Sequence, residues 1–217
     1  MKKLNSLKDL KYGNQNKEDL SFLMNSDDTL SKIVEEFKGF PYPETKATKE
    51  EINTIIEVQK KAIGSKNWKS YLEFSKDADE DLYDTVSNHL MKLGIDLEPE
   101  ILENFNAEIG LVITSLKKHY NRPRPYQVAY YTEQPLNPFE TVTGNSPAYP
   151  SGHACQGWFI CLYLAKKYPE KQKGLETLAK MIENSRIILG VHFPSDNAFG
   201  RKIAETLIKV PDFENLL

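Results

Sequence analysis

The spacing of apolar and polar positions predicts helices along most of the chain. Ile52, Ile55, Ile56 and Ile63 recur at helical intervals after Thr48-Lys49-Glu50-Glu51, a capping-box pattern, and Gly64 closes the segment. Leu82, Val86, Leu90 and Leu93 share one face between Asp81 and Leu93, with Gly94 as terminator. The longest pattern runs from Pro99 to Tyr120 through Ile101, Leu102, Phe105, Ile109, Val112, Ile113 and Leu116. Shorter helices are predicted from Thr29 to Lys38, before Gly39, and around Trp68, Tyr71, Leu72 and Phe74. The apolar run from Ala154 to Ala165 reads as a buried helix reaching Tyr168. Two more follow, from Lys173 to Leu189 and from about Asp196 to Val210, the last with Ile203, Leu207 and Ile208 facing inward. No stretch shows a convincing strand pattern and no internal repeat is visible, so the expected fold class is all-α, a single-domain helical bundle.

Length and composition narrow the picture. A chain of 217 residues suits one domain with a sizeable core, and 40% hydrophobic with 27% charged residues is ordinary for a globular protein. Residues 1–28 are polar and rich in lysine and asparagine, and are expected to form a loosely held arm before a helical domain over 29–217. A net charge of −3 gives no bulk basic field, so no nucleic-acid partner is expected and any anion site must be a local cluster of cations. No apolar run is long enough to cross a bilayer, so no membrane span is expected. Met1-Lys2-Lys3 is followed by Leu4-Asn5-Ser6-Leu7-Lys8-Asp9, which has no apolar core of a signal peptide. The expectation is a cytoplasmic chain, or a periplasmic one if a leader has been removed. The two cysteines, Cys155 and Cys161, fall on different faces of one helix and are expected to be reduced core thiols.

The breaks between helices carry the candidate chemistry. Pro123 and Pro125 are expected to end the long helix and impose extended backbone. Residues 130–149 then read as a long surface loop, a feature often tied to function. Three polar clusters sit at helix edges: Lys117 with Arg124; Ser151, Gly152 and His153; and Ser185-Arg186 with His192 and Asp196. Lys117, Arg124 and Arg186 supply three cations for the equatorial oxygens of a phosphoryl group. One histidine can attack phosphorus while the other protonates the departing alkoxide. Asp196, four residues after His192, can fix the tautomer of that ring.

Each cluster alone has a plainer reading. Ser151 before an apolar helix is a helix cap, and Ser195 or Asp196 would cap the last helix. If Asp196 caps, that duty competes with orienting His192. Lys118 and His119 are read as solvated, His89 is given no role, and Trp158 is read as core. Tyr126, Tyr130, Tyr131, Tyr149 and Phe193 are packing residues, with one or two walling a pocket.

The order and spacing of the three clusters resemble the signature of the phosphatidic acid phosphatase type 2 and vanadium haloperoxidase superfamily. That signature is Lys, six residues, Arg-Pro; Pro-Ser-Gly-His; and Ser-Arg, five residues, His, three residues, Asp. Lys117 to Arg124-Pro125, Pro150 to His153, and Ser185-Arg186 to His192 and Asp196 fill it. The competing Arg122-Pro123 register would need a lysine where Ser115 stands. Within the superfamily the chain is most similar to the soluble, all-helical, bacterial class A non-specific acid phosphatases. The motifs span residues 117–196, and the first hundred or so residues carry none of them.

The resemblance implies a helical bundle of the acid phosphatase and haloperoxidase type, with roles residue by residue. His192 would form a phosphohistidine, Asp196 would orient it, and His153 would be general acid and then general base. Lys117, Arg124, Arg186, Ser151 and the Gly152 N–H would hold the phosphate oxygens. No metal or other cofactor is implied, and vanadate is expected as an inhibitor. The implied reaction is metal-independent hydrolysis of a small soluble phosphomonoester, with a homo-oligomer left open. In a cytoplasmic chain, indiscriminate hydrolysis of nucleotides would be harmful, so substrate choice is expected to be narrowed, partly by the 130–149 loop. The alternatives are a vanadate-dependent haloperoxidase, in which vanadate is the cofactor, and a phosphate-binding module without turnover. Ala154 departs from the threonine often found after Ser-Gly-His in the family.

Overall fold

A computed structural model of the chain describes residues 7–13, 28–43, 45–97 and 99–211. Among the described residues the apolar periodicity becomes α-helix throughout, with no strand. The helices are α1 (Asp28–Lys38), α2 (Thr45–Ile63), α3 (Trp68–Glu80), α4 (Leu82–Lys92) and α5 (Pro99–Tyr120). After them come α6 (Pro125–Thr132), α7 (Gly152–Lys167), α8 (Gln172–Ile188) and α9 (Pro194–Leu207). No helix is long and apolar enough to cross a membrane among the described residues.

Helix α7 lies at the centre because its sequence leaves it little choice. Ala154, Cys155, Trp158, Phe159, Ile160, Cys161 and Leu164 are all buried, so most of its circumference needs apolar cover. It packs against α5, α8 and α9. Both thiols are free and buried, and burial pushes Cys161 up to about 12 and Cys155 further in the same direction. The Trp158 indole donates to Glu183 Oε2 at 2.8 Å, which satisfies its one polar group inside the core. A smaller cluster of Ile52, Ile55, Val128, Ala129, Leu136, Ala148, Ile187 and Phe193 joins α2 and α6 to the turn between α8 and α9.

Several local expectations are corrected. Helix α2 begins at Thr45, so the Thr48–Glu51 pattern does not mark its start. Ile63, counted with the inward face, is 55% exposed because it falls on the last turn, beyond the neighbouring elements. Pro125 does not prolong an extended segment but opens α6, since its fixed φ suits the first helical position and costs no hydrogen bond there. The loop therefore starts at Glu133, which takes a left-handed φ of 55°. Tyr130 and Tyr131 lie on α6 and are exposed. Along α5, Ile109, Val112, Ile113 and Leu116 are buried as the periodicity requires, while the side chains of Leu102 and Phe105 lie outside the described residues.

Most of the polar stretch 1–28 also lies outside the described residues. Residues 7–13 are described, and they are held. Leu7 and Leu10 pack on the smaller cluster, the Tyr12 N–H donates to the Asn121 carbonyl at 3.2 Å, and Gln127 Nε2 donates to the Tyr12 carbonyl at 3.1 Å.

Two glycines set how closely the functional segments approach. Gly190 has φ of 73° and turns the chain sharply after α8, so that the N–H groups of Val191 and His192 return to the Arg186 carbonyl at 3.2 and 3.4 Å. Gly200 on α9 faces the first turn of α7, where a Cβ would lie 2.5 Å from the Ser151 carbonyl oxygen and 3.1 Å from the Cys155 nitrogen. Replacing Gly200 with Ala is expected to push α9 off the Ser151–His153 turn. The cost should be about 1–3 kcal/mol, typical of overpacking. Thermal unfolding would show it as a fall of several degrees in Tm.

Candidate active site

The three sequence clusters converge. Lys117 is on the last turn of α5, Arg124 is the N-cap of α6, and Ser151, Gly152 and His153 form the start of α7. Arg186 is on the last turn of α8, His192 follows the Gly190 turn, and Asp196 is on the first turn of α9. The convergence is visible electrostatically: Arg124, Lys117, Arg186 and His153 all act on His192. Ser151, Arg124, Arg186, His192 and Asp196 are almost wholly buried and Lys117 nearly so, whereas Gly152 and His153 are half-buried.

The helix ends explain this placement. Ser151 caps α7, its Oγ accepting from the Ala154 N–H at 3.4 Å, and its own N–H donates to the Asp196 carbonyl at 3.0 Å. The Tyr149–Pro150 peptide bond, just upstream, is cis. Gly152 is the first residue of α7, so its N–H belongs to the set with no intrahelical acceptor. At α9 the Asp196 carboxylate reaches back to the Phe193 N–H at 2.8 Å. The same oxygen, Oδ2, lies 3.1 Å from His192 Nδ1. Capping and contact with His192 therefore do not compete, contrary to the expectation from sequence, because one carboxylate oxygen has lone pairs for both.

The two contacts of the His192 ring call for a single tautomer. A proton on Nδ1 satisfies Asp196, and the lone pair left on Nε2 accepts from Arg124 Nη1 at 2.9 Å. Arg124 is fixed by three further acceptors: the Val191 carbonyl at 2.8 Å, the Ser146 carbonyl at 2.7 Å and the Ser146 hydroxyl at 3.3 Å. Lys117 donates to the Pro147 carbonyl. Carbonyls orient these cations but carry no charge to neutralise them.

The result is a buried excess of positive charge. Burial, then the neighbouring Arg124 and Arg186, pulls Lys117 well below the ordinary lysine range. Burial lowers Arg124 to about 10. Burial and then Arg124, Lys117 and Arg186 push His192 far below the usual imidazole range. His153 is shifted the same way by burial and Arg186, with Asp79 and the Ala78 carbonyl opposing. Arg186 Nε and Nη1 are buried donors with no protein acceptor. Such a site is suited to a compact anion with several acceptor oxygens. Among the described residues no group of three or more His, Cys, Asp or Glu side chains is arranged to hold a metal ion.

Sequence reasoning missed two partners. Asp79, near the end of α3, pairs with Arg186 at 2.6 Å and accepts from the Val142 N–H at 2.6 Å and the Thr143 hydroxyl at 2.5 Å. It ties the loop to the buried guanidinium. Arg122 was set aside when the motif register was chosen, yet it is fully buried and bonds Asp196 Oδ1 at 2.5 Å. Nothing in the spacing of either residue signals these contacts. The only hint for Asp79 is an acidic residue near the end of a helix, which the macrodipole disfavours there. Beside the site, Tyr12, Tyr126, Phe139 and Val191 contribute to a cleft of about 450 Å³, so Tyr126 walls a cavity while Tyr149 packs in the core.

Residues 106–210 match the PAP2 superfamily. The chain is 28% identical to a non-specific acid phosphatase of Salmonella typhimurium over 166 residues, covering 71% of this chain and 65% of that protein. It is 32% identical to a non-specific acid phosphatase of Providencia stuartii over 124 residues, 54% of this chain and 49% of that protein. The chain thus spans less than two thirds of the length of these curated relatives. Among solved structures, a transmembrane PAP2 type phosphatidylglycerolphosphate phosphatase from Bacillus subtilis aligns over 91% of this chain and 92% of that one. Its identity is 18% and its TM-score 0.38, too low to argue from.

Two expectations follow from the geometry of the site. The hydrogen bonds from Thr143, Arg186 and Val142 outweigh burial and hold Asp79 below the ordinary carboxylate range. A depressed folded-state pKa stabilises the fold above the unfolded value, and that stabilisation is lost as pH falls through the folded one. Asp79→Asn should therefore lose about 3 kcal/mol or more near neutral pH, as for a broken buried pair. Urea unfolding of variant and wild type should converge on acidification. Secondly, an anion in the site should raise the depressed His153, His192 and Lys117. Phosphate binding is then accompanied by proton uptake, and calorimetry in buffers of different ionisation enthalpy should show it; binding without proton transfer would contradict the charge excess.

Proposed function

We propose that this chain hydrolyses phosphomonoesters through a phosphohistidine on His192, without a metal. The observation that carries the reading is the His192 ring held between Asp196 at Nδ1 and Arg124 at Nε2, beside two further buried cations and a second histidine. The likeness to non-specific acid phosphatases supports it.

In the first step the Arg124 Nη1 donor passes from His192 Nε2 to a phosphate oxygen, the freed Nε2 lone pair attacks phosphorus and the bond to the ester oxygen breaks. Lys117, Arg124, Arg186 and the Gly152 N–H hold the equatorial oxygens as charge spreads over them. His153 gives its proton to the departing alkoxide, and the alcohol leaves. Asp196 accepts from Nδ1–H and stabilises the positive charge that the ring acquires. In the second step His153, now neutral, takes a proton from water as its oxygen attacks phosphorus. The P–N bond breaks, phosphate departs and His192 is restored. A free histidine with a depressed pKa is a poor acid, so His153 gains its proton as the dianionic ester binds.

The expected substrates are small soluble esters, and Tyr12, Tyr126 and Phe139 in the adjoining cleft offer faces for an aromatic leaving group. The loop after α6 contributes Pro138, Phe139, Glu140, Thr141, Gly144 and Asn145 to that cleft and is the element that would narrow substrate choice. Vanadate, whose five-coordinate form mimics the phosphoryl transition state, is expected to inhibit.

Hydrolysis of an aryl phosphate by His192→Ala should fall by about a thousandfold or more. Wild-type turnover should survive a chelator and be lost with vanadate. Undiminished turnover by His192→Ala would remove the phosphohistidine, and halide oxidation with peroxide and vanadate would point to a haloperoxidase instead.

A further inference from the structure

Behind Asp196, on the side away from the anion site, lies a second layer of buried charge. Arg122 Nη1 donates to Asp196 Oδ1 at 2.5 Å and to the Ser195 hydroxyl at 2.6 Å. Its Nη2 donates to Glu51 Oε2 at 2.9 Å and to Thr48 Oγ1 at 3.1 Å. Glu51 in turn accepts from the Ser195 N–H at 2.5 Å and the Ser195 hydroxyl at 2.8 Å. The guanidinium is fully buried, stacked 4.0 Å from the centre of the Phe193 ring, with Tyr42 and Tyr149 on its flanks at 5.8 and 5.7 Å. The Thr48–Glu51 pair that resembles a capping box is thus the far end of a chain running from α2 to the His192 ring.

We propose that Arg122 and Glu51 are positioning residues that act through Asp196. Arg122 clamps one carboxylate oxygen so that the other faces His192 Nδ1, and Glu51 offsets the charge of Arg122 so that Asp196 keeps its pull on the ring. The order of groups is imidazole, carboxylate, guanidinium, carboxylate, with charges that alternate once the ring becomes cationic. A guanidinium alone behind Asp196 would hold it ionised but weaken its attraction for the imidazolium. A carboxylate beyond the guanidinium restores that attraction. Lysine could not replace Arg122, because four acceptors are reached from two Nη atoms fixed in one plane.

The inference rests on His192 being the nucleophile, so its test must not depend on turnover alone. The chain has four histidines, and ¹⁵N-histidine NMR reads the tautomer and titration of the His192 ring directly. Asp196 is faced by Arg122 and Glu51 on one side, by Lys117 and Arg124 on the other, and by the hydroxyls of Tyr42 and Tyr149. Only the first two change between variants.

Arg122→Gln removes a cation and the clamp. It should raise the His192 titration by about one unit or more. It should also reduce the Nδ1–H tautomer and lower kcat by about 10- to 100-fold with KM little changed. Glu51→Gln removes an anion and should shift the titration the opposite way, to lower pH, with a smaller loss in kcat. The acid limb of the kcat/KM profile should follow each shift, the substrate's own ionisation being common to all. Shifts in the same direction, no shift in either, or an undisturbed Nδ1–H tautomer in Arg122→Gln would overturn the proposal. If Arg122→Gln does not fold, the direction of the Glu51→Gln shift decides alone. Wild type without phosphatase activity but with opposite shifts would instead defeat the phosphohistidine reading and leave the positioning chain standing.

Discussion

Everything in this structure answers to the cost of burying more cations than anions around one small space. Lys117, Arg124 and Arg186 are out of water, and isolated buried charges are among the least favourable groups a fold can contain. The chain meets that cost with directed neutral oxygens and only limited countercharge. Carbonyls of Pro147, Ser146 and Val191 fix Lys117 and Arg124, and Asp79 pairs with Arg186. Because these acceptors leave a net positive field, the site is prepared for an anion before one arrives, which is the condition for electrostatic stabilisation without reorganisation.

The surrounding helices serve this requirement. Helix α7 is apolar around most of its circumference and anchors the half-buried His153 to the core. The Gly200 contact lets α9 bring Asp196 beside the Ser151 turn, and the Gly190 turn folds His192 back over Arg186. Asp79 carries the loop to the same place through the Val142 N–H and the Thr143 hydroxyl. Each functional residue lies at a helix end or in the turn beside it, where backbone groups are free to bind something other than their own helix.

Two layers of charge then divide the work. The inner layer, Lys117, Arg124 and Arg186, surrounds the His192 ring with positive charge. The outer layer, Arg122 and Glu51, stands behind Asp196 and ties α2 to the first turn of α9 through Ser195. A carboxylate between two cationic neighbourhoods could lose its influence on the histidine; the Glu51 carboxylate on the far side counteracts that loss. Burial still raises Asp196 to about 6, above the ordinary carboxylate range, despite Arg122 and the Phe193 N–H.

The helices, their inward faces and the motif residues from Lys117 to Asp196 were legible in the sequence, because periodicity and short-range spacing are properties of a linear chain. Helix starts at prolines were read less well: Pro125 looked like a break and opens α6 instead, since the same ring fits either role and only the neighbouring packing chooses. Arg122, Glu51, Thr48 and Asp79 were not legible as partners. The pairs Arg122–Asp196, Arg122–Glu51 and Arg186–Asp79 each join residues at least 71 positions apart, and no local pattern records a contact across such a distance. The sequence by itself determined which cations and imidazoles stand at the helix ends. Tertiary structure decided which charges stand behind them, because burial and neighbouring charges, both consequences of packing, set how a buried ion behaves.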